Sequence, residues 1–168
     1  MILKFFNKNF NISLSIVVLI YFLDRLSKIL VIQLDKNSVG SEIFSSAYLN
    51  IVLVWNKGIA FGLFSFDESH LYNILTLLIL IIVVILVIMS LKSEGFKRYF
   101  LLMIVGGALG NLHDRIFSSA VPDFIDFHVG NFHWFIFNVS DIFISSGVIG
   151  MIILELISNN KNNDIEKI

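Results

Sequence analysis

The sequence predicts an all-α membrane protein: four transmembrane helices carrying a small extracytoplasmic β platform. Three observations lead there. Of 168 residues, 57% are hydrophobic and 15% charged, where a soluble domain carries about 25% charged residues. The run 71–91 contains no charge. The stretch from Ala47 to Trp55 is rich in β-branched and aromatic residues, the composition of strands. A soluble globule of this size leaves too much surface in water to hide so much apolar area. Disorder needs low hydrophobicity and high charge, the reverse of what is present.

The first span covers about 12–34 and is interrupted by Asp24, Arg25 and Lys28. Residues about 35–70 form the outer platform, one or two short strands at the membrane surface, punctuated by Gly58 and Gly62. The second span is 71–91; at 1.5 Å per residue it reaches about 31 Å, enough for a hydrocarbon core of about 30 Å. The third, 99–116, ends in Asp114 and Arg115. The fourth, 137–157, has Asp141 near its start and Glu155 near its end. Short connections suit an antiparallel bundle, and residues 1–168 read as one integral-membrane domain. Gly106 with Gly110, and Ser146 with Gly150, form small-residue pairs that let helices approach closely in lipid. The 71–91 helix lacks such residues and is expected at the lipid-facing edge.

Lysine and arginine set the orientation. Lys4, Lys8, Lys92, Lys97, Arg98, Lys161 and Lys167 fall on one side, and only Lys36 and Lys57 in the opposite loops. That asymmetry predicts both termini in the cytoplasm. Lys4 and Lys8 followed by an apolar run resemble a signal peptide, but charged residues follow rather than a small-residue cleavage site, so the helix is expected to be retained. The absence of cysteine excludes disulfides and thiolate chemistry. A net charge of -1 gives no reason to expect nucleic acid binding. His70, His113, His128 and His133 show no metal-binding spacing, and neither a metal nor another cofactor is expected.

The scarce charges at membrane depth carry the functional signal. Each costs about 2.5–3.5 kcal/mol at a helix centre. Here they gather at the outer ends of their spans: Asp24 and Lys28, Asp114 and Arg115, Asp141, with Asp123 and Asp126 in the loop between. Structural readings exist for several. Asp24 and Lys28 are an i,i+4 ion pair in the favourable order. Asp114 and Arg115 could serve as an interfacial cap. Asn138 could cap the fourth helix, with Asp141 favoured by its dipole. Yet Asp123, Asp126 and Asp141 converge on one location. Two facing carboxylates cannot both ionise easily, which supplies a general acid and a general base together. That is the chemistry of an aspartic hydrolase. There is no serine elbow and no zinc motif to compete. The residues alone leave open which two acids pair, and whether the site hydrolyses peptides or relays protons.

Five segments in order resemble the lipoprotein signal peptidases, the signal peptidase II family. Asp24-Arg25-Leu26-Ser27-Lys28 is similar to its D-x-x-x-K segment, and Asn56-Lys57-Gly58-Ile59-Ala60-Phe61-Gly62 to N-x-G-x-A-F-G. The block from Gly106 through Asn111 to Asp114-Arg115 is similar to G-G-A-x-G-N-x-x-D-R. Val121 to Asp126 is similar to V-x-D-F-I-D, and Phe137 to Asp141 to F-N-x-A-D. The resemblance implies a membrane aspartic endopeptidase of the bacterial inner membrane that cuts diacylglyceryl-modified prolipoproteins before the lipidated Cys. It assigns the catalytic pair to Asp123 and Asp141 and leaves Asp126 a supporting acid. Asn56, Asn111, Arg115 and Asn138 match polar residues around the site; Gly58 and Asp114 lie within the same motifs. Asp24 and Lys28 match positions near the lipid and inhibitor region, and globomycin-type inhibitors are expected to bind across the pair. One chain contains the whole expected site, so a monomer is expected. The departures are Ser140 where Ala is common, and Pro122 where an aliphatic residue is usual; Pro122 biases Val121 toward an extended backbone.

Overall fold

The structure, a computed structural model, describes residues 8–37, 43–58 and 69–165. The elements run α1 (Lys8–Asn37), β1 (Phe44–Ser45), β2 (Leu49–Asn56), α2 (Ser69–Lys92), α3 (Gly95–Ser118), β3 (Val121–Val129), β4 (Phe132–Phe137) and α4 (Val139–Ile165). The four expected helices are present, each extending past its expected N-terminal end except the fourth. That helix begins at Val139 because Phe137 closes a strand and Asn138 caps the helix.

Among the described residues, three helices are long and apolar enough to cross a membrane. They are Tyr72–Lys92, Gly95–Ser118 and Val139–Ser158, with mean hydropathies of 3.5, 1.2 and 1.8. The least apolar of the three is also the most enclosed: over half of the α3 span is buried, against about a fifth or less of the others. α3 packs against α1, α2 and α4. Its glycines explain how. A Cβ on Gly106 would stand 2.9 Å from the Ile20 Cβ, and one on Gly107 would stand 2.5 Å from the Ser140 carbonyl oxygen. On α4 the small residues facing α3 are Gly147 and Gly150, which lie against Ile104 and Phe100. The expected partner of Gly150, Ser146, is exposed instead. Three residues separate the two glycines, one helical turn, so both reach the same face. α2 leaves Ile74, Leu77, Leu78 and Ile81 exposed, as expected for a lipid-facing edge. α1 buries Ser13, Ile20, Asp24, Lys28 and Val31, a stripe at helical spacing in which two charges take core positions.

The four strands form one antiparallel sheet, β1-β2-β3-β4. The platform is therefore broader than residues 35–70. Two of its four strands come from 121–137, where the sequence predicts an outer loop and the start of the fourth helix. β3 and β4 turn over Gly130-Asn131, where Gly130 has φ +58°. A positive φ at the first of two turn residues suits hairpin twist and favours glycine. β2 pairs with β3 from Leu49↔Phe127 to Asn56↔Val121, with an irregularity between Ile51 and Val54. α3 ends at Ser119 in the left-handed conformation, and β3 starts two residues later. That short exit carries Asp123 back beside the end of α3. Residues 59–62, the distal part of the Asn56–Gly62 motif, lie outside the described residues, as do Lys4 and Lys167.

Candidate active site

Asp123 from β3 and Asp141 from the first turn of α4 line one cavity of about 250 Å³, with Asn56, Asn111 and Arg115. Both carboxylates are buried, 4% and 9% exposed. Three asparagines hold them. Asn56 Nδ2 donates to Asp123 Oδ2 at 2.8 Å, and Asn138 Nδ2 donates to Asp123 Oδ1 at 2.6 Å. Asn111 Nδ2 donates to Asp141 Oδ1 at 2.9 Å.

Each amide is oriented by a donor on its other side. The Gly58 N–H donates to Asn56 Oδ1 at 2.8 Å, an Asx-type turn. The Asp141 N–H donates to Asn138 Oδ1 at 3.1 Å, while the Asn138 N–H donates to Asp141 Oδ2 at 3.1 Å. This reciprocal pair is a capping box built from Asn and Asp. Capping and site geometry are thus the same hydrogen bonds. Lys28 Nζ donates to Asn111 Oδ1 at 2.8 Å. Arg115 donates to the Gly58 carbonyl and holds the turn that orients Asn56. The Arg115 guanidinium also lies over the Tyr72 ring of α2, 5.7 Å from its centroid.

Burial pushes the Asp123 carboxyl up to about 6. The amide of Asn56 opposes that rise, the charge of Asp141 adds to it, and Asn138 and Lys28 oppose it. A carboxyl so placed is fit to carry a proton near neutrality.

Behind the pair sits a quartet of charges, Asp24, Lys28 and Asp114 buried and Arg25 partly so. Lys28 Nζ is 2.9 Å from Asp24 Oδ1 and 2.7 Å from Asp114 Oδ2. Arg25 Nη1 is 2.6 Å from Asp114 Oδ1, and Nη2 is 2.9 Å from Asp24 Oδ2. Two acids and two bases balance, which is how buried charge is tolerated. Asp24 Oδ1 also accepts the Ser140 N–H at 3.1 Å, capping α4 from another helix.

Asp24 and Lys28, expected near the lipid and inhibitor region, are 0% and 1% exposed and do not line the cavity. Asp114 pairs with α1 rather than capping its own helix. Asp126, grouped in sequence with the other acids, bonds Asn50 at 3.3 Å and His133 at 2.9 Å instead. It is three residues from Asp123 on one strand, and an odd spacing puts side chains on opposite faces. Sequence reasoning missed Arg25 as a member of the quartet and Asn50 as the partner of Asp126. Adjacency to Asp24 was the available signal for Arg25; Asn50 offered none.

Helices fit to span a membrane, with an acid pair where a sheet meets a helix N-terminus, define a membrane enzyme. Solved structures agree: the fold is similar to a bacterial membrane enzyme determined by the in meso method at 2.3 Å. The TM-score is 0.70 at 27% identity, covering 90% of this chain and 91% of that one. A second bacterial membrane enzyme, at 1.9 Å, gives a TM-score of 0.70 and 29% identity over 87% and 93% of the chains. The family described as Signal peptidase (SPase) II matches residues 16–157. The lipoprotein signal peptidase of Pelagibacter ubique (strain HTCC1062) is 47% identical over 94% of this chain and 95% of its own. That of Anaplasma phagocytophilum (strain HZ) is 38% identical over 90% and 96%. The chain belongs to the signal peptidase II family.

Proposed function

We propose that this protease is an aspartic endopeptidase that removes signal peptides from diacylglyceryl-modified prolipoproteins, cutting before the lipidated Cys. The observation that carries the mechanism is the Asp123–Asp141 pair, both acids in one cavity and joined through Asn138. The pair shares a proton and holds a water. One acid takes a proton from that water as it attacks the scissile carbonyl, and the other donates to the carbonyl oxygen. Asn56, Asn111 and Asn138 fix the two carboxyl groups, and Arg115 stands at the cavity to stabilise developing charge. No metal enters this chemistry, and activity should survive EDTA.

α1 completes a four-span, single-domain enzyme of the bacterial inner membrane. It is 30 residues long, about 45 Å. Its mid-helix charges, Asp24, Arg25 and Lys28, are paired inside the protein, while Leu19, Phe22, Leu26 and Ile29 face outward. With both termini cytoplasmic, the sheet and the acid pair stand near the outer face. There the diacyl chains of the substrate stay in lipid, each buried methylene contributing about 0.8 kcal/mol. Globomycin-type inhibitors would bind across the pair. The enzyme acts as a monomer, since one chain supplies every residue of the site.

The test is Asp123→Asn and Asp141→Asn, made singly and assayed on lipidated and unlipidated prolipoprotein. Each should insert normally and lose cleavage by about 10²–10⁴-fold. Full activity in either would overturn the pairing. Equal cleavage of unlipidated substrate would overturn the substrate class.

A further inference from the structure

Lys28 is 1% exposed and does not reach the cavity. All three ammonium N–H bonds have acceptors: Asp24, Asp114 and Asn111. The third links the quartet to the acid pair. An ammonium group only donates, so it holds Asn111 Oδ1 toward itself. The Asn111 NH₂ is thereby turned onto Asp141 Oδ1 at 2.9 Å. The amide is thereby held from both ends, by the ammonium group on its oxygen and the carboxylate on its NH₂.

We propose that Lys28 is a positioning residue acting on Asp141 through Asn111, and that it makes Asp141 the charged member of the pair, the one that accepts the water proton. The proposal rests on Asp123 and Asp141 being the reacting pair. The rest of the geometry agrees. Asp141 stands in the first turn of α4, where the helix N-terminus favours negative charge. Its other oxygen accepts a backbone N–H from Asn138. Asp123 stands on a strand, with no helix N-terminus behind its carboxyl group. Other charged groups around the site are Asp24 and Arg25 from α1 and Asp114 and Arg115 from α3, with Tyr72 of α2 beneath Arg115.

The step balances. Water gives its proton to the Asp141 carboxylate as its oxygen bonds the scissile carbon. The Asp123 proton passes to the carbonyl oxygen, giving a neutral tetrahedral diol. On collapse the C–N bond breaks, Asp141 returns its proton to the leaving nitrogen, and a diol hydroxyl returns one to Asp123.

The experiment measures kcat and KM against pH, on the full chain in lipid vesicles with lipidated prolipoprotein. The variants are Asn111→Ala, Lys28→Met and the two combined. Loss of the cation or of its link lets the base take up a proton at higher pH. The acidic limb of kcat should therefore move to higher pH in each single variant. kcat should fall roughly 10- to 100-fold, as when a supporting partner is removed, with KM little changed. Because the two act in series, the double variant should be no slower than Asn111→Ala alone. Losses that multiply, or an unmoved limb, would overturn the proposal. Should Lys28→Met fail to insert, Lys28→Met with Asp114→Asn keeps the charge balance. The limb in Asn111→Ala decides in either case. An active Asp141→Asn would instead overturn the pair itself, a separate outcome.

Discussion

Ser140 shows how tightly single atoms are placed around the acid pair. Its side chain is fully buried and its hydroxyl has no hydrogen-bond partner among the described residues. Its N–H is held by Asp24. A buried hydroxyl without a partner costs about 1–3 kcal/mol. Ser140→Ala should therefore leave cleavage intact and stabilise the protein by about 1 kcal/mol, read from thermal unfolding in detergent. A loss of stability would show that the hydroxyl is used. Asp123 gives a second prediction. Its carboxyl stands at about 6 in the fold against 3.8 as the ordinary value. The folded protein then binds the proton more tightly than the unfolded chain, so stability falls as pH rises through this window. Between pH 7 and pH 5 acidification should add on the order of 1 kcal/mol from this group. Asp123→Asn should flatten that part of the profile.

The elements differed in how far they could be read in advance. Helices announce themselves by runs of apolar residues, and all four did. β3 and β4 were hidden because Val121 to Phe137 holds two aspartates and two histidines. Those break the alternation that marks a strand, although Gly130-Asn131 between two aromatic runs was a usable hairpin signal. Asp123 and Asp141 were legible as chemistry, but their pairing came from the resemblance. The amide orientations depend on partners such as Gly58 and Lys28 that no spacing rule connects. Close approach of α3 to its neighbours was legible from Gly106 and Gly110, which meet Ile20 of α1 and Ser140 of α4. Gly107 and Gly147 proved equally tight. A methyl on Gly107 would meet the Ser140 carbonyl, which has no side-chain freedom to retreat. Gly107→Ala should cost about 1–3 kcal/mol and lower cleavage by displacing the start of α4. Unchanged stability would mean that the helices can part without penalty.

At the scale of the whole molecule, the sheet and the helices meet along a line of polar residues enclosed by apolar surface. The sheet brings Asp123 and Asn56, α3 brings Asn111 and Arg115, and α4 brings Asp141. A reporter fused after Ile168 should be cytoplasmic; an external reporter would reverse the proposed orientation. The quartet between α1 and α3 has a consequence for how the chain is made. α3 is the least apolar of the candidate spans and ends in Asp114 and Arg115. Arg25 and Lys28, which neutralise Asp114, are synthesised 89 and 86 residues earlier. A third helix that entered lipid before docking on the first would carry Asp114 without those partners, an unpaired charge at membrane depth. The ion pairs act as a docking latch between an early and a late segment of the nascent chain. Cells carrying Arg25→Met with Lys28→Met should accumulate chains whose third helix stays on the cytoplasmic side, with residues 119–138 protected from external protease.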